Sequence, residues 1–211
     1  MFNLIGNCCT TAFIYKQMNV QFNNPFMWAA IWADDFIKLI QHFDDINFKN
    51  PELEKYILND KELCYSIILN KDIKINYTHY KQGNQNDRHR IVGPDIYDWR
   101  AYEYTFNTFN ERTERMLNND IKPCFVILGE MKNVPGYNLN FDSYNLENLI
   151  KICEIPTQHK ICIITGYEEL LKYQSERIKI IIDKHPKNEK GFWTDTFASM
   201  YKNEIIQFAE N

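Results

Sequence analysis

The sequence predicts an α/β protein with a mainly parallel sheet, helices on both faces of the sheet and a β-hairpin at one edge. In the second half of the chain, short isoleucine-rich runs alternate with helical segments, a pattern typical of parallel strands joined by crossover helices. Two further β-rich runs, 63–69 and 73–80, are separated only by Asn70-Lys71-Asp72, which predicts the hairpin. With 211 residues, 45% of them hydrophobic, the chain can bury one core, and we interpret residues 1–211 as a single domain.

The first part of the chain predicts a strand followed by helices. An apolar run from Phe2 ends at Gly6-Asn7, a pair that favours a tight turn. Phe36, Ile40 and Phe43 recur at spacings of three and four, which is the repeat of one helix face. Pro51 suits the first turn of a short helix. These signals predict a strand over 2–5 and helices over 10–18, 33–43 and 51–58.

The second strand of the predicted hairpin carries a histidine on its apolar side. Ile73, Ile75 and Tyr77 alternate along the strand, and strict alternation places His79 on the same face. Residues 81–97 show no periodicity and predict a long loop or lid. The remaining predicted elements are helices over 99–118, 146–153 and 168–173, strands over 124–128, 161–164 and 178–182, and a last helix from about residue 194.

Composition excludes several classes of protein. The 24 basic and 28 acidic residues give a net charge of −4, which disfavours non-specific binding to nucleic acid. No apolar run approaches the roughly 18 residues of a membrane span, and no export signal is recognisable, so we expect a cytoplasmic protein. The six cysteines are irregularly spaced, which indicates reduced thiols, and we predict no metal site. The common phosphate-binding and dinucleotide-binding glycine motifs are absent from the sequence.

Ligands of parallel sheets bind beyond the carboxyl ends of the strands, so the residues that follow each predicted strand are the candidates for a site. These residues are Gly6-Asn7-Cys8-Cys9, Gly129-Glu130, Gly166 and Asp183-Lys184-His185.

A cysteine at the start of the first helix is the most informative of these candidates. The positive end of the helix dipole would lower the pKa of the Cys8 or Cys9 thiol, and the thiolate could attack an acyl carbonyl. His79, His185 and His89 are the candidate bases, and Glu130 could orient an imidazole or cap a helix. Taken from the residues alone, however, small buried cysteines and hydrogen-bonded structural histidines are the commoner outcome.

Three more side chains could contact a substrate. Arg112 and Arg115 share one helix face and could grip a phosphate or carboxylate, although pairing with Glu111 and Glu114 is commoner. Trp28 could stack on a sugar, or pack in the core, which is the more usual role of a tryptophan. With Asn7 these residues form the predicted substrate-binding set.

Several short motifs occur in a fixed order along most of the chain. They are Gly6-Asn7-Cys8-Cys9, Phe13-Ile14-Tyr15, Asn23-Asn24-Pro25, Asp35-Phe36-Ile37-Lys38, Thr78-His79-Tyr80, Asn110-Glu111-Arg112-Thr113-Glu114-Arg115 and Ile155-Pro156. In this order the chain resembles a bacterial exopolysaccharide-biosynthesis family whose activity is not established. Pro25-Phe26-Met27-Trp28 is also similar to the Pro-Phe-Asp-Trp of a neighbouring family of papain-like cysteine peptidases, with Met27 in place of the aspartate.

The resemblance implies Cys9 as the nucleophile and His79 as its base. A third group, capsule-polysaccharide proteins associated with coenzyme A, carries Gly-Asn-Cys, which would select Cys8 instead. Where the families often have glycines after the cysteine, this chain has Thr11 and Ala12.

Residues and resemblance together lead to one hypothesis and two alternatives. The hypothesis is an enzyme of surface-glycan assembly that transfers or hydrolyses acyl groups through a cysteine with a histidine base. It would act on a small-molecule or glycan substrate and require no cofactor, with coenzyme A as a candidate co-substrate. The alternatives are a non-catalytic module that binds a phosphorylated sugar or glycan, and a papain-like cysteine peptidase. The sequence leaves the oligomeric state open.

Overall fold

A computed structural model of the chain describes residues 2–49, 51–58, 62–77, 97–130, 143–183 and 194–211. Its strands are β1 (Asn3–Gly6), β2 (Glu52–Leu58), β3 (Glu62–Leu69), β4 (Ile73–Tyr77), β5 (Pro123–Leu128), β6 (Lys160–Thr165) and β7 (Ile178–Ile182). Its α-helices are α1 (Thr10–Gln17), α2 (Ala33–His42), α3 (Tyr97–Asn118), α4 (Leu146–Glu154) and α5 (Thr194–Glu210), with short 3-10 helices at Phe43–Asp45 and Glu168–Tyr173.

The predicted α/β architecture is confirmed. Four parallel strands form one sheet in the order β1-β5-β6-β7, and β2, β3 and β4 form a separate antiparallel sheet. All four carboxyl ends of the parallel strands lie along the same edge, because parallel strands run in the same direction. The residues that follow β1, β5, β6 and β7 therefore share one rim, as predicted.

Side chains that alternate along the parallel strands separate into two apolar clusters. On one face, Ile5 and Phe125 pack with residues of α2, α4 and the small sheet. On the other face, Leu4 and Val126 pack with residues of α1 and α5. Both faces are thus covered by helices, which is the usual condition for a parallel sheet.

The outer margin of β1 is closed by polar side chains rather than by another strand. Asn23 donates its side-chain amide to the Phe2 carbonyl at 2.8 Å, and Asn24 donates to the Leu4 carbonyl at 2.9 Å. The Leu4 backbone N–H donates to the Tyr15 hydroxyl at 3.1 Å. These side chains satisfy backbone groups that an uncovered edge strand would leave unpaired.

One predicted element is wrong: residues 51–58 do not form a short helix. Residues 52–58 form strand β2, which pairs along its length with β3, for example Leu53 with Ile67. Glu52 and Glu54 are exposed whereas Leu53 packs against the core, a repeat of two that suits a strand. The tertiary pairing therefore outweighs the local preference of Pro51 for a helix start.

The predicted hairpin is present as β3 and β4, and Ile73, Ile75 and Tyr77 of β4 are buried as the alternation predicted. It belongs to the separate small sheet. Asn76 joins β4 to the main body, because it exchanges two backbone hydrogen bonds with Ala30, at 2.7 and 3.0 Å. The predicted loop over 81–97 lies outside the described residues, except for Tyr97 at the start of α3.

Candidate active site

In the turn after β1, neighbouring atoms lie so close to Gly6 that no other residue fits at this position. A Cβ on Gly6 would lie 2.6 Å from the Thr11 side-chain oxygen and 3.0 Å from the Cys8 carbonyl oxygen. Contacts under 3.0 Å force something to shift. The first turn of α1 therefore packs directly onto the end of β1, and the chain must reverse within Asn7, Cys8 and Cys9.

Asn7 uses its main chain and its side chain to extend the pairing of β1 with β5. Its backbone N–H donates to the Val126 carbonyl at 3.3 Å. Its side-chain Nδ2 donates to the Leu128 carbonyl, and its Oδ1 accepts from the Leu128 N–H, both at 3.0 Å. The amide thus takes the place of a peptide group beyond the last residue of β1. Asn7 is buried, so these bonds are made away from water.

Asn7 also belongs to a group of polar contacts, here called the Asn7 ring, with Ile31 and Tyr144. The Ile31 N–H donates to the Asn7 carbonyl at 3.1 Å, and the Tyr144 hydroxyl donates to the Ile31 carbonyl at 2.7 Å. The Asn7 side chain in turn lies close enough to the Tyr144 hydroxyl to act against the rise of its pKa. The ring ties the turn after β1 to the segments that precede α2 and α4.

Cys8 lies directly beside the Asn7 ring. Its Sγ is 3.4 Å from the Thr10 Oγ1, and the Thr10 backbone N–H is a second partner of the sulfur. Cys8 is close enough to Tyr144 for its charge to influence the pKa of the tyrosine hydroxyl, which burial raises well above the ordinary value. The sulfur therefore sits where α1 begins and where the segment 143–145 meets the sheet.

Cys9 forms the N-cap of α1, as predicted, and its carbonyl accepts the Phe13 N–H at 3.0 Å. Cys8 and Cys9 are both partly exposed, whereas Cys124, Cys153 and Cys162 are buried. All five are free thiols, which leaves Cys8 and Cys9 as the accessible cysteines among the residues whose side chains are described.

The expected direction of the thiol pKa shift is wrong. Burial raises the pKa of Cys8, although its two hydrogen bonds to Thr10 act in the opposite direction. Burial also raises the pKa of Cys9, and the neighbouring Cys8 adds to that effect. Both cysteines pack against the apolar cluster between α1 and α5, and the loss of water outweighs the dipole of the short helix α1.

The other parts of the predicted rim carry carboxylates that are held by tyrosines. Glu130, which follows β5, accepts the hydroxyl of Tyr167, and this pairing and burial raise the pKa of Tyr167 to about 12. Asp183, which follows β7, accepts the hydroxyl of Tyr201 at 2.5 Å. Glu130 is also linked to the Cys8 region, since its N–H donates to the Tyr144 carbonyl at 3.0 Å.

The three histidines proposed as bases, His79, His89 and His185, lie outside the described residues. His159 is described, and it immediately precedes β6 at the opposite, amino end of the sheet. Its Nε2 is 3.0 Å from the Asp44 Oδ1. His159 therefore contributes to a different part of the molecule from the cysteine turn.

The two arginines predicted to bind substrate contact backbone groups of one segment. Arg112 is buried, donates to the Met27 carbonyl at 3.1 Å, and lies over the Phe22 ring. Arg115 donates to the Phe22 carbonyl at 2.9 Å and pairs with Glu111, as the alternative interpretation expected. Both guanidinium groups thus hold residues 22–27 against α3.

Trp28 packs in the core, which is the second of its two predicted roles. It is 9% exposed and makes edge-to-face contacts with Phe13 and Phe22. Its backbone adopts a positive φ of 64°, which is unusual for a bulky residue. The segment that contains it is therefore held in place by the surrounding aromatic rings and by Arg112.

Sequence reasoning missed Tyr144 and Thr10 as neighbours of Cys8. Tyr144 belongs to no periodic pattern, and only the fold brings it to β1. Asn7 was assigned to substrate binding, whereas all of its hydrogen bonds that the structure describes go to the protein itself. The tight turn at Gly6-Asn7 was the one local signal that pointed to this role.

Two general findings complete the description of the site. Over the described ranges, no helix combines the length and the apolarity that crossing a membrane requires. In the same ranges, no three histidine, cysteine, aspartate or glutamate side chains gather as they would around a metal ion.

Residues 1–90 match the family described as "Domain of unknown function (DUF1919)". The matched part contains β1, the cysteine turn, α2 and the small sheet, and therefore Asn7, Cys8 and Cys9. No curated protein matches the chain.

Proposed function

We propose that this protein transfers or hydrolyses acyl groups through a thioester on Cys8. The observation that carries the proposal is the setting of Cys8, a partly exposed residue whose thiol is hydrogen-bonded to Thr10 and lies beside the Asn7 ring at the carboxyl end of β1. In parallel sheets this end of the strands is where ligands bind.

We place the nucleophile on Cys8, whose sulfur is hydrogen-bonded to Thr10. The Thr10 hydroxyl and backbone N–H both favour the thiolate of Cys8, which is the form that attacks carbonyl carbon. Cys9 serves as the N-cap of α1 and has the additional charge repulsion of Cys8. The Gly-Asn-Cys pattern of the capsule-polysaccharide group also selects Cys8.

His79 is the base in this proposal. Strand β4 ends at Tyr77, two residues before His79, and two residues span at most about 7 Å. The neighbouring Asn76 pairs with Ala30, and Ile31 then bonds Asn7. By contrast, His185 follows β7, which lies three strands from β1 in the sheet order, or roughly 14 Å at the usual strand spacing.

Because burial raises the pKa of Cys8, the resting group is the neutral thiol and attack requires a base. The His79 imidazole takes the thiol proton while the Cys8 sulfur bonds to the acyl carbon. The bond to the leaving group then breaks, and the leaving group receives that proton. Water or an acceptor hydroxyl next attacks the thioester, gives its proton to His79, releases the acyl product and restores the thiol.

The substrate part of the proposal rests on the family resemblance. Surface-glycan assembly in the cytoplasm would supply a glycan acceptor, and coenzyme A would be the acyl carrier that donates the group. Arg112 and Arg115 have no part in it, because their guanidinium groups already hold residues 22–27.

A burst assay tests the proposal. The full chain is mixed with p-nitrophenyl acetate or acetyl-coenzyme A, and release of the first leaving group per protein is followed. We expect a burst that Cys8→Ser and His79→Gln abolish and that Cys9→Ser retains. A burst that survives Cys8→Ser would overturn the assignment of the nucleophile.

A second function, a module that binds a phosphorylated sugar without chemistry, is favoured by one observation. Burial raises the pKa of the Cys8 and Cys9 thiols, the opposite of what most reactive cysteines show. In that case a sugar phosphate at 100 times its Kd would stabilise the protein by about 2.7 kcal/mol, equally in wild type and in the Cys8→Ser variant. Absence of such a shift, together with a burst, would exclude it.

A further inference from the structure

Asn7 is the residue that connects the end of β1 to Cys8, and it is hydrogen-bonded on both sides. The backbone leaves β1 at Gly6, so nothing in the strand itself holds Cys8. Asn7 makes two side-chain bonds to Leu128 and two main-chain bonds to Val126 and Ile31. The residue next to the thiol is therefore anchored on both sides, to β5 and to the segment before α2.

The contacts of the Asn7 ring restrict the movement of Asn7. Ile31 bonds Asn7, Tyr144 bonds Ile31, and the Asn7 side chain lies close to the Tyr144 hydroxyl. Asn7 and Tyr144 are almost fully buried, at 2% and 1% exposure. If one of these bonds is broken, no water can replace the lost partner, because the groups are buried. The turn must then change its geometry.

Two other observations indicate that this arrangement serves the cysteine rather than the sheet alone. β1 and β5 already pair over four residues, from Asn3 with Pro123 to Gly6 with Val126. The outer margin of β1 is closed separately by Asn23, Asn24 and Tyr15. Asn7 makes its hydrogen bonds beyond the last strand pair, where the chain turns towards Cys8.

We propose that Asn7 is a positioning residue for the Cys8 thiol, acting through the Asn7 ring. This inference rests on the proposed function, and it adds the residue that fixes the direction of attack. Misplacing a reacting group by about 1 Å can cost about a hundredfold in rate. Asn7 itself touches neither the acyl group nor the base in this account.

The test compares Asn7→Ser with Asn24→Ser, both made in a Cys9→Ser parent. The two asparagines are matched, because each is buried and donates its Nδ2 to a strand carbonyl, Leu128 for Asn7 and Leu4 for Asn24. Two rates are measured for each protein: acylation of Cys8 by p-nitrophenyl acetate and alkylation by iodoacetamide across a range of pH. Their ratio separates directed attack from the intrinsic reactivity of the thiol.

In Asn7→Ser we expect the ratio to fall by about a hundredfold and the alkylation profile to move towards that of an exposed thiol. In Asn24→Ser both should stay at the parent values, although its unfolding midpoint falls. An unchanged ratio in Asn7→Ser, or an equal change in Asn24→Ser, would overturn the proposal. If Asn7→Ser does not fold, Tyr144→Phe replaces it, because this variant removes the hydroxyl that bonds the Ile31 carbonyl in the Asn7 ring. The same results would then support or overturn the proposal.

The experiment also separates this inference from the proposed function. If the parent shows no acylation that depends on Cys8, the proposed function fails. The alkylation profiles need no turnover, so they still decide whether Asn7 controls the thiol. A profile that Asn7→Ser and Tyr144→Phe leave unchanged would refute the positioning role by itself.

Discussion

Asn24 and Asn7 are both buried asparagines that use their side-chain amides on the backbone of the parallel sheet. Asn24 lies along the outer margin of β1, where it bonds Leu4, Asn3 and the N–H of Phe26. Asn7 lies beyond the carboxyl end of the same strand. The first replaces a missing neighbouring strand, whereas the second holds a turn whose next residue is a cysteine.

Burial and the number of hydrogen bonds are alike at the two asparagines, so they do not tell a structural amide from one proposed to position a thiol. Their neighbours differ, because Asn24 is followed by Pro25 whereas Asn7 is followed by a partly exposed cysteine. If this distinction is correct, substitutions on the outer margin should change stability alone. Substitutions around the Asn7 ring should change stability and thiol chemistry together.

The largest effect should come from Asn24→Leu. This variant removes the amide that serves the Leu4 carbonyl and the Phe26 N–H, and leaves both buried groups without that partner. We expect a loss of about 3 kcal/mol in the free energy of unfolding, measured by urea denaturation. Alkylation of Cys8 should remain at the wild-type rate. A change in that rate would show that the outer margin of β1 also affects the cysteine turn.

Gly6→Ala should cost about 2 kcal/mol, because its Cβ would meet the Thr11 side chain at 2.6 Å. Thr11→Ala in the same chain should recover part of this loss, as a double-mutant cycle measures. Gly129→Ala, at the end of β5, is the control. Its Cβ would meet the end of the Leu149 side chain at 2.8 Å and no backbone atom closer than 3.5 Å, whereas that of Gly6 would also meet the Cys8 carbonyl at 3.0 Å, so its loss should be smaller. Equal losses at both glycines would contradict the tight packing of the cysteine turn.

Tyr15→Phe and Tyr144→Phe compare the loss of one buried hydroxyl at each place. The Tyr15 hydroxyl bonds the Phe2 carbonyl, the Leu4 N–H and Asn23 on the outer margin, whereas the Tyr144 hydroxyl bonds the Ile31 carbonyl in the Asn7 ring. Thermal unfolding should show a loss of about 1 kcal/mol for Tyr144→Phe and a larger loss for Tyr15→Phe, which leaves more buried groups without this partner. Only Tyr144→Phe should alter the alkylation profile of Cys8. An altered profile in Tyr15→Phe would contradict the distinction between the outer margin of β1 and the Asn7 ring.

The pH dependence gives the smallest effect. Burial raises the pKa of Cys8 above its ordinary value of 9.0, so the folded protein holds the thiol proton longer than the unfolded chain. The resulting stability is complete below pH 9 and is lost as the pH rises through the folded pKa. In a Cys9→Ser parent, removal of the thiol by Cys8→Ser should flatten the fall in stability above pH 9, as urea titrations at several pH values would show. An unchanged slope would mean that the thiol is not desolvated.

Much of the fold could be predicted because its signals are local. The isoleucine-rich strands β6 and β7, the helix periodicity of α2 and the turn at Gly6-Asn7 each occupy a short window of sequence. β2 could not be predicted, because its pairing with β3 is a tertiary interaction that overrides the helix preference of Pro51.

The sequence could indicate where a candidate site lies but not which residues surround it. The rule that ligands bind at the carboxyl ends of parallel strands led to Cys8 and Glu130 from sequence alone. Tyr144 and Asn7 are far apart in the sequence, and no sequence pattern indicates that the fold brings them together. The direction of the thiol pKa was predicted wrongly because the dipole of α1 is visible in the sequence whereas the desolvation of Cys8 depends on packing.

Peptide mapping shows whether Cys8 carries the acyl group. The protein is mixed with p-nitrophenyl acetate, quenched in acid to preserve a thioester, digested and analysed by fragmentation mass spectrometry. We expect an acetyl group on the Cys8 sulfur that disappears when the quench is delayed. An acetyl group on Cys9 with none on Cys8, or no thioester at either residue, would contradict it.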